Sequence, residues 1–172
     1  MEKSKRSRFY YGWMVVIASF LTTFIFFSIQ YIFGVFSKSL IDEFGWTRSL
    51  TSGAYSLNMI VHGLSALLMG TLSDRYGPRI TIGVNGFLVG LGIVLCSQIV
   101  DLWQLYVFFG LLIGVGMGAA FSPPMSTTAK WFVRRRGLAL GIVASGIGLG
   151  TLVMSPLTNH LILVYGWQRA CL

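Results

Sequence analysis

Residues 70–79 read GTLSDRYGPR, a short polar segment that lies between two long apolar stretches. Gly77, which stands before a proline, is typical of a tight turn, and Arg75 and Arg79 add positive charge to the segment. Asp74 precedes the second apolar stretch, where a carboxylate can accept hydrogen bonds from the free amides at a helix start. The segment therefore predicts a short connection between two helices on the positively charged side of a membrane.

Five stretches of this 172-residue chain contain no Asp, Glu, Lys or Arg. They are 29, 25, 21, 28 and 32 residues long, in the order Phe9–Ser37, Ser49–Ser73, Ile80–Val100, Leu102–Ala129 and Gly137–Gln168. A helix needs roughly 20 apolar residues to cross the hydrocarbon core of a bilayer. A soluble domain carries about 25% charged residues, whereas this chain carries 10%. The pattern predicts an all-α, polytopic membrane protein.

The stretches predict five spanning helices at about residues 11–35, 50–72, 80–99, 103–129 and 137–164. Residues 165–172, YGWQRACL, predict the opening of a sixth helix, so that residues 11–172 form an incomplete six-helix bundle behind a basic tail of residues 1–10. We expect no cofactor and no metal, because the sequence contains neither a cluster of ligating side chains nor a phosphate-binding loop.

Basic residues are concentrated on one side of the predicted bundle. With a cytoplasmic N-terminus, ten of the 13 basic residues fall inside: Lys3, Lys5, Arg6, Arg8, Arg75, Arg79, Lys130, Arg134, Arg135 and Arg136. The other three, Lys38, Arg48 and Arg169, fall outside, and this asymmetry predicts that orientation. The net charge of +8 does not indicate nucleic-acid binding, because the bases stand in short tracts between apolar stretches rather than in one patch.

Glycines recur at four-residue spacing in the fourth and fifth predicted helices, at Gly110, Gly114 and Gly118 and then at Gly137 and Gly141. Small residues four apart lie on one helix face and let two helices approach closely in lipid. We therefore expect both stripes to pack against neighbouring helices. Sliding of one helix past another during transport is a second interpretation, and it is compatible with the first.

The GTLSDRYGPR segment fits a G-x-L-x-D-R-x-G-x-R pattern through Gly70, Asp74, Arg75, Gly77 and Arg79. It resembles the loop between the second and third spans that marks the major facilitator superfamily, and it lies between the second and third predicted helices here. The resemblance implies the N-terminal half of a twelve-helix fold. It also implies that this loop takes part in the conformational switch between inward-open and outward-open states.

Longer stretches resemble two families within that superfamily, the monocarboxylate transporters and the oxalate/formate antiporters. They include YGWMVVIASF, YIFGVFSKSLIDEFGWTRS and AKWFVRRRGLALGIVASGIGLG. The resemblance implies carriage of monocarboxylates or short dicarboxylates by alternating access, with no enzymatic activity. It also implies that Gln30, Tyr31 and Phe121 face the substrate. A buried amide and phenol are suited to hydrogen bonding a carboxylate.

The expected partners are the lipid bilayer of a plasma or inner membrane, a small organic anion, and a C-terminal half that completes the carrier. We expect that half to supply the cations that neutralise the substrate, because the five predicted spans contain no charged residue. The chain alone is then expected to be inactive. Two alternatives are a non-transporting partner that docks on another carrier and a small carrier that works as a homodimer; the odd number of spans argues against the homodimer.

Overall fold

A computed structural model describes residues 2–132 and 135–165, and these residues form five long helices without any strand. In chain order the helices are α1 Glu2–Phe44, α2 Arg48–Tyr76, α3 Pro78–Cys96, α4 Leu102–Trp131 and α5 Arg136–Tyr165. Each contains a segment that is long and apolar enough to cross a membrane. The predicted all-α membrane fold with five spanning helices is therefore confirmed. The predicted opening of a sixth helix lies outside the described residues, apart from the backbone of Tyr165.

The first helix extends beyond its predicted span, which was expected to end near residue 35. It continues to Phe44, so the connection to α2 is limited to residues 45–47. The reason is local, because no Gly or Pro lies between residues 35 and 44 to stop the helix. Gly45 then ends the helix with a φ of 65°, a left-handed conformation that glycine adopts readily. The Thr47 side chain caps the start of α2 by accepting a hydrogen bond from the Leu50 amide at 3.4 Å.

Helix α4 is not regular along its length. It begins as an α-helix at Leu102, becomes a π-helix over Tyr106–Ile113 and returns to α-helix over Gly114–Met117. After a break at residues 118–121 it resumes as Ser122–Trp131, with Pro123 and Pro124 in its first turn. Proline is tolerated there because the first amides of a helix have no partner within the helix.

The five helices form one bundle with α4 near its centre. Helix α4 contacts α1, α2, α3 and α5, while α1 packs along α5 over a second extensive interface. The main core lies between α1, α2, α3 and α4 and includes Phe33, Leu40, Val89, Ile113 and Met117. A smaller core around Val16, Ala139 and Val143 joins α1 to α5.

Large apolar side chains also cover the outside of the bundle. Leu67 on α2, Phe87 on α3 and Leu152 on α5 are each exposed to at least 70%. Exposed apolar surface on this scale is unfavourable in water and favourable in lipid. The exposed apolar surface of the described residues therefore agrees with the membrane protein that the uncharged stretches predicted.

Candidate substrate cavity

A cavity of about 590 Å³ lies between α1 and α2 at the end of the bundle where residues 45–47 connect them. Each helix lines the cavity with one face. Its lining residues are three, four or seven positions apart, and side chains at these spacings lie on the same side of a helix. The lining residues include Gln30, Gly34, Ser37 and Lys38 from α1, and Arg48, Thr51, Ser52 and Tyr55 from α2.

The chemistry of this cavity suits an anion. Lys38 and Arg48 provide two positive charges, Ser37 and Ser52 are among its hydroxyl groups, and no residue that lines it is acidic. The expectation that a C-terminal half supplies the cations stays a prediction. The placement of Lys38 and Arg48 in an external loop is wrong, because both residues belong to helices. Their helical spacing from Gly34 and Thr51 was the signal that could have placed them beside the cavity.

Gln30 lies deep in the cavity and is 1% exposed. Its amide nitrogen Nε2 donates a hydrogen bond to Oδ1 of Asn58 on α2 at 2.9 Å. Asn58 is fully buried, and its own amide nitrogen Nδ2 donates to the backbone carbonyl of Phe109 on α4 at 2.7 Å. The Gln30 Nε2 also donates to the sulfur of Met59 on α2 at 3.7 Å. The hydrogen bond from Gln30 to a carboxylate, which the resemblance implied, stays a prediction.

The backbone of α4 approaches Asn58 closely for two reasons. Phe109 lies in the π-helical segment Tyr106–Ile113, where the wider turn displaces carbonyl groups from the regular α-helical pattern. Gly114 follows one turn later, and a Cβ built on it would lie 3.2 Å from the backbone oxygen of Asn58. The irregular helix and its glycine therefore place an acceptor beside the Asn58 amide.

Aromatic rings form the apolar part of the cavity. Phe33 lines it and stacks on Phe109 with ring centroids 4.0 Å apart. Tyr55 also stacks on Phe33, with the two ring centroids 5.6 Å apart. Stacking of this kind adds to the stabilisation from burial alone and holds the Tyr55 phenol at the cavity.

The three residues predicted to face substrate do not all meet in this cavity. Gln30 and Tyr31 both line it, and Tyr31 is 44% exposed. Phe121 belongs instead to a neighbouring aromatic group, where it meets Phe27 edge to face at a centroid distance of 6.4 Å. Phe27 also contacts His62 edge to face at 6.4 Å. The structure thus places Phe121 in the break of α4, outside the α1–α2 cavity.

The GTLSDRYGPR segment lies at the opposite end of the bundle. Asp74, in the last turns of α2, accepts a hydrogen bond from the Lys130 ammonium on α4 at 2.8 Å. Helix α3 starts at Pro78 after Gly77 without a side-chain cap, so the expected cap by Asp74 is not formed. Gly77 has a φ of 88°, a conformation that an L side chain rarely adopts.

The other members of the motif have separate surroundings. The guanidinium of Arg75 lies over the Tyr76 ring, 5.6 Å from its centroid. A Cβ built on Gly70 would lie 3.3 Å from the Ser122 hydroxyl oxygen, so α2 and α4 approach closely there. Arg79 lines a surface cavity with Pro78 and Trp131 near the ends of α3 and α4.

The two predicted glycine stripes differ in their surroundings. Cβ atoms built on Gly110 and Gly118 would lie 2.9 Å from Leu57 and 2.7 Å from Ser65, so this stripe packs directly on α2. Nothing lies within 4 Å of a Cβ built on Gly137 or Gly141, so neither makes a close helix contact in the part of the chain that the structure describes.

The close approach of α5 to its neighbour occurs further along the helix. Cβ atoms on Gly146 and Gly150 would lie 2.9 Å and 2.8 Å from the backbone oxygens of Phe20 and Phe24 on α1. The same four-residue spacing therefore recurs two turns later, and the spacing alone does not indicate which pair of glycines meets a neighbour.

Five apolar spans, a short polar turn after the second, and a cavity between α1 and α2 that holds two basic residues define a polytopic helical membrane protein. The model of the Major Facilitator Superfamily matches residues 18–172, and the chain belongs to that family. The predicted membership of this superfamily is confirmed, and so is the prediction that the chain forms the N-terminal portion of its fold.

Relatives of known class share its sequence at modest identity. Monocarboxylate transporter 13 of Bos taurus is 33% identical over 94% of this chain and 38% of its own length. Monocarboxylate transporter 14 of Homo sapiens is 32% identical over 94% of this chain and 32% of its own length. Monocarboxylate transporter 9 of Gallus gallus is 30% identical over 91% of this chain and 31% of its own length. The chain spans about a third of the length of these relatives. The similarity to monocarboxylate transporters is confirmed, while that to oxalate/formate antiporters stays a prediction.

Proposed function

We propose that this chain is the N-terminal part of a secondary carrier that moves small organic anions across a membrane by alternating access. The substrate class is a monocarboxylate or short dicarboxylate. The observation that supports it most directly is the α1–α2 cavity, in which Lys38 and Arg48 lie among hydroxyl groups and no lining residue is acidic. A carboxylate leaving water requires such compensation, because an unpaired charge in a membrane costs several kcal/mol.

The orientation proposed for the chain has its N-terminus and the Arg75 connection in the cytoplasm of a cell bounded by a plasma or inner membrane. In that orientation the cavity opens at the outer side, where Lys38 and Arg48 attract anions from solution. The names of the relatives, which are monocarboxylate transporters, agree with this substrate class. No chemical step on the substrate is proposed.

In the proposed carrier, this chain and a C-terminal half each supply a different part of the substrate path. This chain supplies one side of the substrate path and the Asp74 loop, and a C-terminal half supplies the opposite side, against which this bundle moves. By itself the chain binds anions without transporting them. The non-transporting partner considered as an alternative is not favoured by any contact in the described residues.

The experiment is uptake of labelled formate or lactate into liposomes. The chain alone should give no saturable uptake, whereas the chain reconstituted with the C-terminal half of a monocarboxylate transporter should. In the reconstituted carrier, Lys38→Gln and Arg48→Gln should each reduce uptake, and Ser56→Ala on the exposed side of α2 should not. Normal uptake in both cavity variants would contradict the proposal.

A further inference from the structure

A second cavity, of about 680 Å³, lies at the end of the bundle that holds the GTLSDRYGPR segment. It is a surface groove between α1, α3 and the last part of α4, Ser122–Trp131, which contacts both of the other helices. We call it the inner groove. The α1–α2 cavity lies at the opposite end of the bundle, so the two cavities are separate.

The inner groove begins at the membrane surface and extends into the depth of the bundle. Its mouth is formed where three helix ends meet, at Tyr11 on α1, Arg79 on α3 and Trp131 on α4. From Tyr11 to Thr22, which also lines the groove, α1 advances by about 16 Å along its axis. Tyr11 and Trp131 are 59% and 48% exposed, and such aromatic side chains favour the boundary between lipid and water.

The mouth of the groove carries a positive charge that nothing neutralises in the described residues. Arg79 is exposed, and its guanidinium forms no ion pair or hydrogen bond within that part of the chain. No residue that lines the groove is acidic. Asp74, five positions before Arg79, is instead paired with Lys130 at 2.8 Å. A basic pocket of this kind between membrane helices suits an anionic lipid headgroup.

The deeper part of the groove is suited to a hydrocarbon chain. Met14 on α1 and Ile82 on α3 line it with apolar side chains. Gly83 has nothing within 4 Å of a built Cβ, so the wall of α3 is open at this point. The hydroxyl of Thr22 already donates to the backbone carbonyl of Ala18 at 2.8 Å, and it therefore does not require a polar ligand.

We propose that the inner groove binds one anionic phospholipid, with the headgroup phosphate at Arg79 and an acyl chain between α1 and α3. A zwitterionic lipid carries its own cationic group, so its net charge is zero and its attraction to Arg79 is weaker. The proposed function does not use this groove, and the inference goes beyond it, whichever anion the carrier moves.

The experiment is native mass spectrometry of the purified full chain after its release from lipid nanodiscs. The nanodiscs contain equal amounts of phosphatidylglycerol and phosphatidylcholine with identical acyl chains, so the two lipids differ only in the headgroup. One phosphatidylglycerol should remain bound, with a preference of roughly fivefold over phosphatidylcholine, as expected for one basic side chain at the membrane surface.

Two pairs of variants separate the headgroup from the acyl chain. Arg79→Gln should remove the preference, whereas Arg75→Gln should retain it, because Arg75 lies over Tyr76 and does not line the groove. Gly83→Leu should fill the groove and reduce the retention of both lipids. Gly90→Leu is its control, because Gly90 also has nothing within 4 Å of a built Cβ, follows seven positions later on the same face of α3, and lies outside the groove.

Several results would overturn this inference. Equal retention of the two lipids by the unmodified chain would do so, and so would an equal loss of preference in Arg75→Gln and Arg79→Gln. Equal lipid retention in the two glycine variants would place the acyl chain elsewhere. Loss of the preference after reconstitution with a C-terminal half would show that protein covers the groove instead of lipid. None of these results bears on anion uptake, which the Lys38 and Arg48 variants test separately.

Discussion

The Lys130 ammonium lies 2.8 Å from the Asp74 carboxylate and joins the end of α2 to the end of α4. Their side chains are 68–69% exposed, so water and salt screen the pair. Exposed pairs of this kind contribute about 0–1 kcal/mol to stability. The pair connects two helices at the end opposite the cavity, where a contact that breaks and re-forms costs little.

The first prediction is that Asp74→Asn leaves folding intact but slows transport. The helical signal and the unfolding midpoint in detergent should remain close to those of the unmodified chain, because the lost pair is screened. In a carrier reconstituted with a C-terminal half, uptake should fall, and exchanging the charges with Asp74→Lys and Lys130→Asp should recover part of it. Full uptake in Asp74→Asn would remove this loop from the transport cycle.

A second prediction compares two glycines of the predicted stripes. Gly118→Ala places a Cβ 2.7 Å from the Ser65 Cβ and 2.9 Å from its backbone carbon, so α4 must move away from α2. Gly141→Ala meets no atom within 4 Å and should be neutral or stabilising, since alanine favours a helix over glycine by about 1 kcal/mol. The midpoint of thermal unfolding in detergent should be lower for Gly118→Ala than for Gly141→Ala. Equal midpoints for the two variants would show that α2 and α4 do not pack as described.

The third prediction concerns the buried amide network. Asn58→Ala removes the oxygen acceptor of the Gln30 amide nitrogen, which keeps only the Met59 sulfur at 3.7 Å, and the side-chain donor to the Phe109 carbonyl. The free energy of unfolding should fall by roughly 1–3 kcal/mol for each unsatisfied group. Ser56→Ala on the same helix is the control, because its exposed hydroxyl bonds only to the backbone of Ser52. Similar unfolding curves for the two variants would contradict the network.

A fourth prediction tests orientation. Single cysteines at Asp42 and at Arg75, placed in a chain whose own cysteines are replaced, should react with a membrane-impermeant thiol reagent on opposite sides. Asp42→Cys should react in intact cells, and Arg75→Cys should react only after permeabilisation, because most basic residues lie on the Arg75 side. The reverse pattern would invert the topology and place the cavity at the cytoplasmic side.

The sequence by itself determined the class of the protein. The five spans follow from composition, because the transfer free energy of an apolar stretch into lipid depends on its own residues and not on their partners. The turn at Gly77 could be predicted for the same reason, because its backbone conformation depends on the residues next to it in the sequence. The family could be named from ten residues because these local requirements occur together in one short segment.

The tertiary structure decided which residues meet. Gln30 and Asn58 are 28 residues apart, and only the packing of α1 on α2 directs the amide nitrogen of one to the oxygen of the other. The glycine spacing is the same at Gly137 and Gly146, but only the register of α5 against α1 brings Gly146 to a neighbouring backbone. Lys38 became a cavity residue because α1 continues to Phe44, beyond the apolar stretch that defined its span. Contacts between distant segments depend on helix rotation and register, and a pattern within one segment contains neither.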